Sequence, residues 1–178
     1  IPQSIIMIKL LICGFNGYMG KLVFRDALAS SDMKVLGGVD IADDFSGEYP
    51  IYKNIFDCSD KPDVIIDFSC AETILSYGEE AAKKGIAIVT AIPIYPDSTI
   101  EFLKKISQNT RVLWSPNITI GINLLISVAK ILKAVAPTAD IEIIEEHFKN
   151  KKEVSGTAIK ITEALSLQDI NIKSVRAG

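Results

Sequence analysis

Apolar residues in this chain fall in short solid runs, and between the runs they recur at helical spacing. The first run, Ile8-Lys9-Leu10-Leu11-Ile12-Cys13, predicts a buried strand. It leads through the glycine-spaced turn Gly14 to Gly20 into Lys21-Leu22-Val23-Phe24, which predicts a helix. Further strands are predicted over 34–39, 63–68, 86–89 and 111–114, with helices over 71–84 and 97–108. Ser69 and Glu72 have the spacing of a capping box at the start of the first of these helices. A polar loop over 41–50, holding Asp43, Asp44 and Gly47, follows the second strand. Strands alternating with helices at this pitch predict a doubly wound parallel sheet of the α/β class.

Beyond residue 117 the pattern changes. A long apolar helix is predicted over 121–135, an alternating strand over 140–146, a helix over 155–165 and a last strand over 172–175. The expected organisation is therefore an α/β domain over 1–117, with 1–6 as an extension ahead of Met7, and a smaller α+β domain over 118–178 for substrate binding or oligomerisation.

Composition narrows the partners. With 178 residues, 48% of them hydrophobic, and a mean hydropathy of +0.29, the chain is an ordinary globular protein. Its 19 basic and 22 acidic residues are interspersed and the net charge is −3, which argues against nucleic acid and anionic membrane as partners. Cys13, Cys58 and Cys70 are odd in number and far apart, so neither a disulfide framework nor a metal site is expected; a reducing cytoplasm is the simplest compartment. The uncharged run over 112–129 is broken by Ser115-Pro116-Asn117 and Asn123, and is read as strand, loop and helix, not as a membrane span.

Two stretches carry candidate chemistry. In Gly14-Phe15-Asn16-Gly17-Tyr18-Met19-Gly20 the glycines would let the strand turn, bare the backbone for a diphosphate, and press the helix onto the strand, while the helix start holds the anion. Asp40, at the end of the second strand, can accept from the adenosine ribose hydroxyls, which makes the first domain Rossmann-type. An ordinary βα turn with a surface carboxylate has the same spelling. Phe68 and Ser69, at a strand's carboxyl end, are candidate cofactor neighbours, and as a core aromatic and a cap they would look identical. The second stretch holds the only histidine, His147, followed by Lys149, Lys151, Lys152 and the helix opening Ser155-Gly156-Thr157. Hydroxyls and amides at a helix start near ammonium groups suit carboxylates or phosphates; a capped helix behind a solvated basic loop is the competing reading.

The segment from Glu145-Glu146-His147-Phe148 through Lys151-Lys152-Glu153-Val154 to Ser155-Gly156-Thr157-Ala158 resembles the active-site segment of the 4-hydroxy-tetrahydrodipicolinate reductase (dihydrodipicolinate reductase) family. The motifs Gly14 to Gly20, Asp67-Phe68-Ser69, Pro116-Asn117-Ile118-Thr119-Ile120-Gly121-Ile122-Asn123 and Ser174-Val175-Arg176-Ala177-Gly178 are similar to further family motifs in the same order. The resemblance implies reduction of a dipicolinate by a nicotinamide dinucleotide, with His147 and Lys151 as the proton-donating pair and Ser155, Gly156 and Thr157 holding a substrate carboxylate. It implies dinucleotide contacts from Gly14, Phe15, Asn16, Gly17, Tyr18, Met19, Asp40, Phe68, Ser69, Thr90, Ala91, Ile92, Ser115, Pro116, Asn117 and Ile118, and a homo-oligomer, tetrameric with a full second domain. The chain departs from the family pattern at Phe148, where a second His is usual, at Glu153-Val154, and at Thr90-Ala91-Ile92-Pro93, where a Gly-Thr-Thr-Gly turn is usual. The family's chains also continue past the Arg-Ala-Gly motif. Asp40 is followed by Ile41, not by an arginine suited to a 2′-phosphate, so NADH is expected to be preferred or used as well as NADPH. Another two-domain dehydrogenase, or a non-catalytic dinucleotide-binding or regulatory protein, are the rival readings.

Overall fold

The computed structural model of the chain describes residues 7–42, 47–115, 117–168 and 171–178. Pro116, the pair Asp43-Asp44 and the expected extension 1–6 lie outside the described residues. The chain divides into two compact units, Ile1–Pro116 and Asn117–Gly178.

In the first unit the order is β1 (Ile8–Cys13), α1 (Tyr18–Ala29), β2 (Met33–Val39), β3 (Ile51–Tyr52), a 3₁₀ turn (Ile55–Asp57), β4 (Val64–Asp67), α2 (Thr73–Lys83), β5 (Ala87–Thr90), α3 (Asp97–Ile106) and β6 (Val112–Trp114). The six strands form one sheet in the order β3-β2-β1-β4-β5-β6, every neighbouring pair parallel. Strand order reverses between β1 and β4, and at such a switch point the carboxyl ends of the strands leave a crevice.

The period-two alternation of β1 sorts its side chains onto two faces. Leu11 and Cys13 join Ile65, Ile74, Tyr77, Ile88, Leu103 and Ile106 in the larger core cluster, to which α2 and α3 contribute. Leu10 and Ile12 join Val35, Phe15 and Ala27 in the smaller one, on the side of α1.

Two local expectations are corrected. The short strand β3 and the 3₁₀ turn, for which the pattern gave no element, follow the expected loop; β3 exists because Gly38 N–H and Asp40 N–H donate to the carbonyls of Pro50 and Tyr52, a pairing across residues distant in sequence. The capping box at Ser69 and Glu72 does not form. Helix α2 begins at Thr73 with Glu72 in the N-cap position and no side-chain cap bond. Ser69 turns back instead: its N–H (2.9 Å) and its hydroxyl both donate to Oδ1 of Asp67. Asp67 is fully buried, and a carboxylate removed from water takes the nearest donors.

The second unit, among its described residues, contains α4 (Ile120–Val135), β7 (Ile143–Phe148), α5 (Gly156–Ala164) and β8 (Ile172–Ala177). β7 and β8 pair in parallel from Ile143↔Ile172 to Phe148↔Ala177, with α5 as the crossover. β7 begins at Ile143 and not at 140, and both strands end later than the hydrophobic pattern indicated, because pairing and not side-chain alternation sets their ends; His147 consequently lies inside β7 and opposite Arg176. Ala158 and Thr162 of α5, followed by Leu165, supply the buried side chains around this pair. Helix α4 has no buried residue. Among the described residues no helix is long and apolar enough to cross a membrane.

A Cβ at Gly20 would lie 2.8 Å from the Phe15 carbonyl oxygen and closer still to that of Gly14. Gly20→Ala is expected to destabilise the first unit by about 1–3 kcal/mol. Denaturant unfolding followed by fluorescence of Trp114, the single tryptophan, checks this; an unchanged midpoint would contradict the packing.

Candidate functional site

The β1–α1 turn is shaped by backbone crowding. Gly14 has φ +72°, and a Cβ there would sit 2.8 Å from the backbone carbonyl of Phe68. Gly17 is the N-cap of α1 with no side-chain cap, so the first amides of the helix stay available to an anion. A cavity of about 440 Å³ opens here, lined by Gly14, Asn16, Gly17, Asp40, Phe68 and Ser69 among others. These six sequence candidates are brought together by the switch point.

Within the cavity Asp40 does two jobs. Its Oδ2 accepts from the Asn16 N–H at 2.9 Å and its Oδ1 from the Ala42 N–H at 3.1 Å, tying the glycine turn to the loop after β2. A carboxylate oxygen has two lone pairs, so acceptor capacity for a hydroxyl remains. The Asn16 amide donates to the Ala42 carbonyl at 2.9 Å, while its Oδ1 is buried with no hydrogen-bond partner. A bare glycine cradle, an open helix start and an orphaned buried acceptor together fit the diphosphate and ribose of a dinucleotide.

Lys53 also lines this cavity and was not anticipated; its ammonium donates to the Ile41 carbonyl at 2.8 Å. It arrives by way of β3, which hydrophobic patterning does not reveal.

Other sequence candidates lie elsewhere. The Phe15 ring is fully buried against Phe24, with centroids 4.9 Å apart, so Phe15 offers the cavity only its backbone. Tyr18 is 80% exposed at the start of α1, with Met19 beside it. Thr90, Ala91 and Ile92 follow β5. The Thr90 hydroxyl is bonded to Tyr95 Oη at 2.7 Å, Ala91 N–H donates to the Asp67 carbonyl, and Ile92 packs its side chain into the core while its carbonyl accepts from Trp114 Nε1. Ser115 N–H donates to the Thr90 carbonyl. Asn117 and Ile118 belong to the second unit, where the Asn117 side chain accepts from Thr119 N–H and Ile118 is exposed.

Asp67 organises the floor of this region. Besides Ser69 it accepts from the Tyr77 hydroxyl at 2.7 Å. Burial, reinforced by the Asp67 charge, pushes the Tyr77 phenol and the Cys13 thiol well above their usual ranges, and burial pushes Tyr95 up to about 12, so all three stay neutral.

In the second unit the candidates gather around a carboxylate that sequence reasoning did not single out. Glu145 is buried on β7, and its Oε2 lies 2.5 Å from Nδ1 of His147. Its Oε1 accepts from the Ser174 hydroxyl at 2.6 Å, from Arg176 Nη2 at 2.9 Å and from the Ser155 N–H at 3.4 Å. The Arg176 guanidinium and the Ser174 hydroxyl, with help from His147 and Ser155, hold the Glu145 carboxyl down at about 2 against the opposing effect of desolvation. Ser155 is the N-cap of α5 with no side-chain cap bond, and nothing lies within 4 Å of where a Gly156 side chain would begin. The amides of Gly156 and Thr157 thus open a helix start to an anion. Lys151 sits in the turn between, its N–H on the Phe148 carbonyl at 3.1 Å. Phe148, at the position where the family pattern has His, is 79% exposed.

An all-parallel sheet of this order, with a glycine anion cradle at its switch point, is a dinucleotide-binding dehydrogenase fold. The chain belongs to the dihydrodipicolinate reductase family: residues 8–118 match the family model described as "Dihydrodipicolinate reductase, N-terminus" and residues 121–178 the one described as "Dihydrodipicolinate reductase, C-terminus". It is 37% identical over 161 residues to the 4-hydroxy-tetrahydrodipicolinate reductase of Caldanaerobacter subterraneus subsp. tengcongensis, covering 90% of this chain and 64% of that protein. The protein of the same name from Clostridium tetani is 29% identical over 162 residues, at the same two coverages. The chain therefore spans 64% of the length of each of these relatives. A dipicolinate-bound dihydrodipicolinate reductase from Paenisporosarcina sp. TG-14 shares the fold, with a TM-score of 0.79 at 22% identity over 96% of this chain and 78% of that one.

Because the Glu145 carboxyl is lowered from 4.5 to about 2, its contribution to stability is fully present above about pH 4.5 and is lost as the pH falls through about 2. Amide protection factors of β7 and β8, that is, exchange rates corrected for the intrinsic rate at each pH, are expected to fall across that window in the native chain and to change less steeply in Glu145→Gln; equal slopes would remove the assigned role of the carboxylate.

Proposed function

We propose that the chain carries out the NAD(P)H-dependent reduction of 4-hydroxy-tetrahydrodipicolinate to tetrahydrodipicolinate, a step of lysine and diaminopimelate biosynthesis. The observation that carries the proposal is the cluster on the second unit. An exposed imidazole, a lysine in the adjoining turn and an uncapped helix start lie around one buried carboxylate, in a chain matched by both of the family's models.

When bound to the first unit, the dinucleotide supplies a hydride. The chain's own residues do the rest. Gly14, Asn16 and Gly17 hold the diphosphate against bare backbone, and Asp40 accepts from the ribose. The segments Phe68–Ser69, Thr90–Ile92 and Ser115–Ile118, together with Tyr18 and Met19, serve the remainder of the dinucleotide. Ser155, Gly156 and Thr157 hold a carboxylate of the substrate at the start of α5. His147 gives the proton that accompanies the hydride, and the Lys151 ammonium stabilises negative charge as the hydride arrives.

The same reading gives NADH as the preferred cofactor, or one used as well as NADPH. The Asp40 carboxylate repels a 2′-phosphate, whereas the Lys53 ammonium at the same cavity moderates that repulsion. The partners are a small dicarboxylate substrate and further copies of the chain, with no nucleic acid or membrane, and the compartment is the reducing cytoplasm.

Replacing His147 or Lys151 with Gln is expected to lower kcat for NADH oxidation with freshly generated substrate by about 10²-fold or more, with NADH affinity changed less than about twofold. Unchanged rates would remove both residues from the chemistry, and binding without any turnover in the native chain would mark a non-catalytic dinucleotide-binding protein. Asp40→Asn is expected to improve NADPH affinity relative to NADH by about tenfold in fluorescence titrations; a native chain that strongly prefers NADPH would overturn the reading of Asp40.

A further inference from the structure

Glu145 touches more of the second-unit cluster than packing requires. A buried carboxylate is satisfied by an arginine fork and one or two further donors. Here Oε1 already receives Ser174, Arg176 and the Ser155 amide, which answers the cost of burial. The other oxygen, Oε2, is given to Nδ1 of His147 at 2.5 Å, although that ring is 41% exposed and contributes nothing to the core. An exposed imidazole held by one nitrogen has its orientation fixed and its other nitrogen left for chemistry.

The register that makes this contact also braces the lysine turn. β7 pairs with β8 so that Glu145 faces Ser174 and His147 faces Arg176. From that position the guanidinium spends its remaining donors on backbone: Nε on the Lys151 carbonyl at 2.8 Å and Nη2 on the Glu153 carbonyl at 2.9 Å. One carboxylate therefore connects the imidazole, the amide at the start of α5, and, through Arg176, the backbone that carries Lys151.

We propose that Glu145 is the positioning residue of this site: it keeps a proton on Nδ1 of His147, so that Nε2 is the atom that gives up a proton, and through Arg176 it holds the 151–153 turn in place. The proton balance follows. The imidazolium carries hydrogens on both nitrogens. Loss of the Nε2 proton leaves a neutral ring that is still Nδ1–H and still bonded to Glu145, and a proton from water at Nε2 restores the starting state. The carboxylate takes no proton in the cycle.

The catalytic consequence rests on the function proposed above, but the ring assignment does not, and the two can be tested apart. The chain has a single histidine, so ¹⁵N labelling of histidine gives one pair of ring signals. At a pH high enough that the ring signals no longer move with pH, the native chain is expected to show Nδ1 protonated and Nε2 bare. In Glu145→Ala, which has no acceptor, the signals should move toward the Nε2–H form favoured by imidazole side chains in water. A native ring carrying its proton on Nε2 overturns the proposal without any variant being made, and so does a tautomer that Glu145→Ala leaves unchanged. In steady-state assays Glu145→Ala should lower kcat about tenfold or more while the NADH dissociation constant stays within about twofold, and Glu145→Gln, which can still accept from Nδ1–H, should recover part of that loss; an unchanged kcat in Glu145→Ala beside active His147 chemistry overturns it. If His147→Gln itself keeps full turnover, the proposed function fails while the ring measurement stands on its own.

Discussion

The close approach of three backbones at the end of β1 governs the first unit. The Gly14 carbonyl lies under Gly20, the Phe15 ring lies over Gly38, and the Gly14 Cα lies against the Phe68–Ser69 peptide, each at a separation that no Cβ tolerates. With those contacts made, α1 starts directly above the sheet's switch point, its first amides facing the crevice. A side chain at Gly14 or Gly20 would lift the helix off the strand, and the anion cradle and the Asp40 contact to Asn16 would go with it. The glycines are there for packing as much as for a ligand; the two uses are one geometry.

The second unit is organised on a different principle. Its described part is a single parallel strand pair with one crossover helix, beside a helix α4 that buries no residue, and apolar burial contributes little there. A buried carboxylate with donors from His147 on β7, from Ser174 and Arg176 on β8 and from the start of α5 ties these elements together, and a network of this kind is worth having only when nearly every member is satisfied. The same bonds that satisfy Glu145 set the ring of His147 and the backbone of Lys151. Local stability and the readiness of the site are thus two readings of the same hydrogen bonds.

The first unit shows the same economy in Asp67. It is buried below the crevice, engages Tyr77 and Ser69, and through its own backbone carbonyl fixes the start of the turn after β5. Burial keeps the Tyr77 phenol and the Cys13 thiol neutral beside it, and Tyr77 and Ser69 donate to it.

The alternation of strands and helices, the glycine turn and the break near residue 117 were all legible in the chain, because hydrophobic period and glycine spacing are local properties. So were the positions of Asn16, Asp40 and Ser69, which the parallel order of strands carries to one crevice. What the chain alone did not disclose depends on pairing. β3 forms only where the backbone after Pro50 meets β2, and with it comes Lys53; Ser69 abandons α2 because a buried Asp67 outbids the helix for its donors; β7 runs on through His147 because β8 lies alongside. Glu145 reads as one more acid among its neighbours until the register sets Ser174 and Arg176 against it. A side chain's type and local spacing are written in the sequence, but its partner belongs to another strand, and only the tertiary structure brings the two within hydrogen-bond reach.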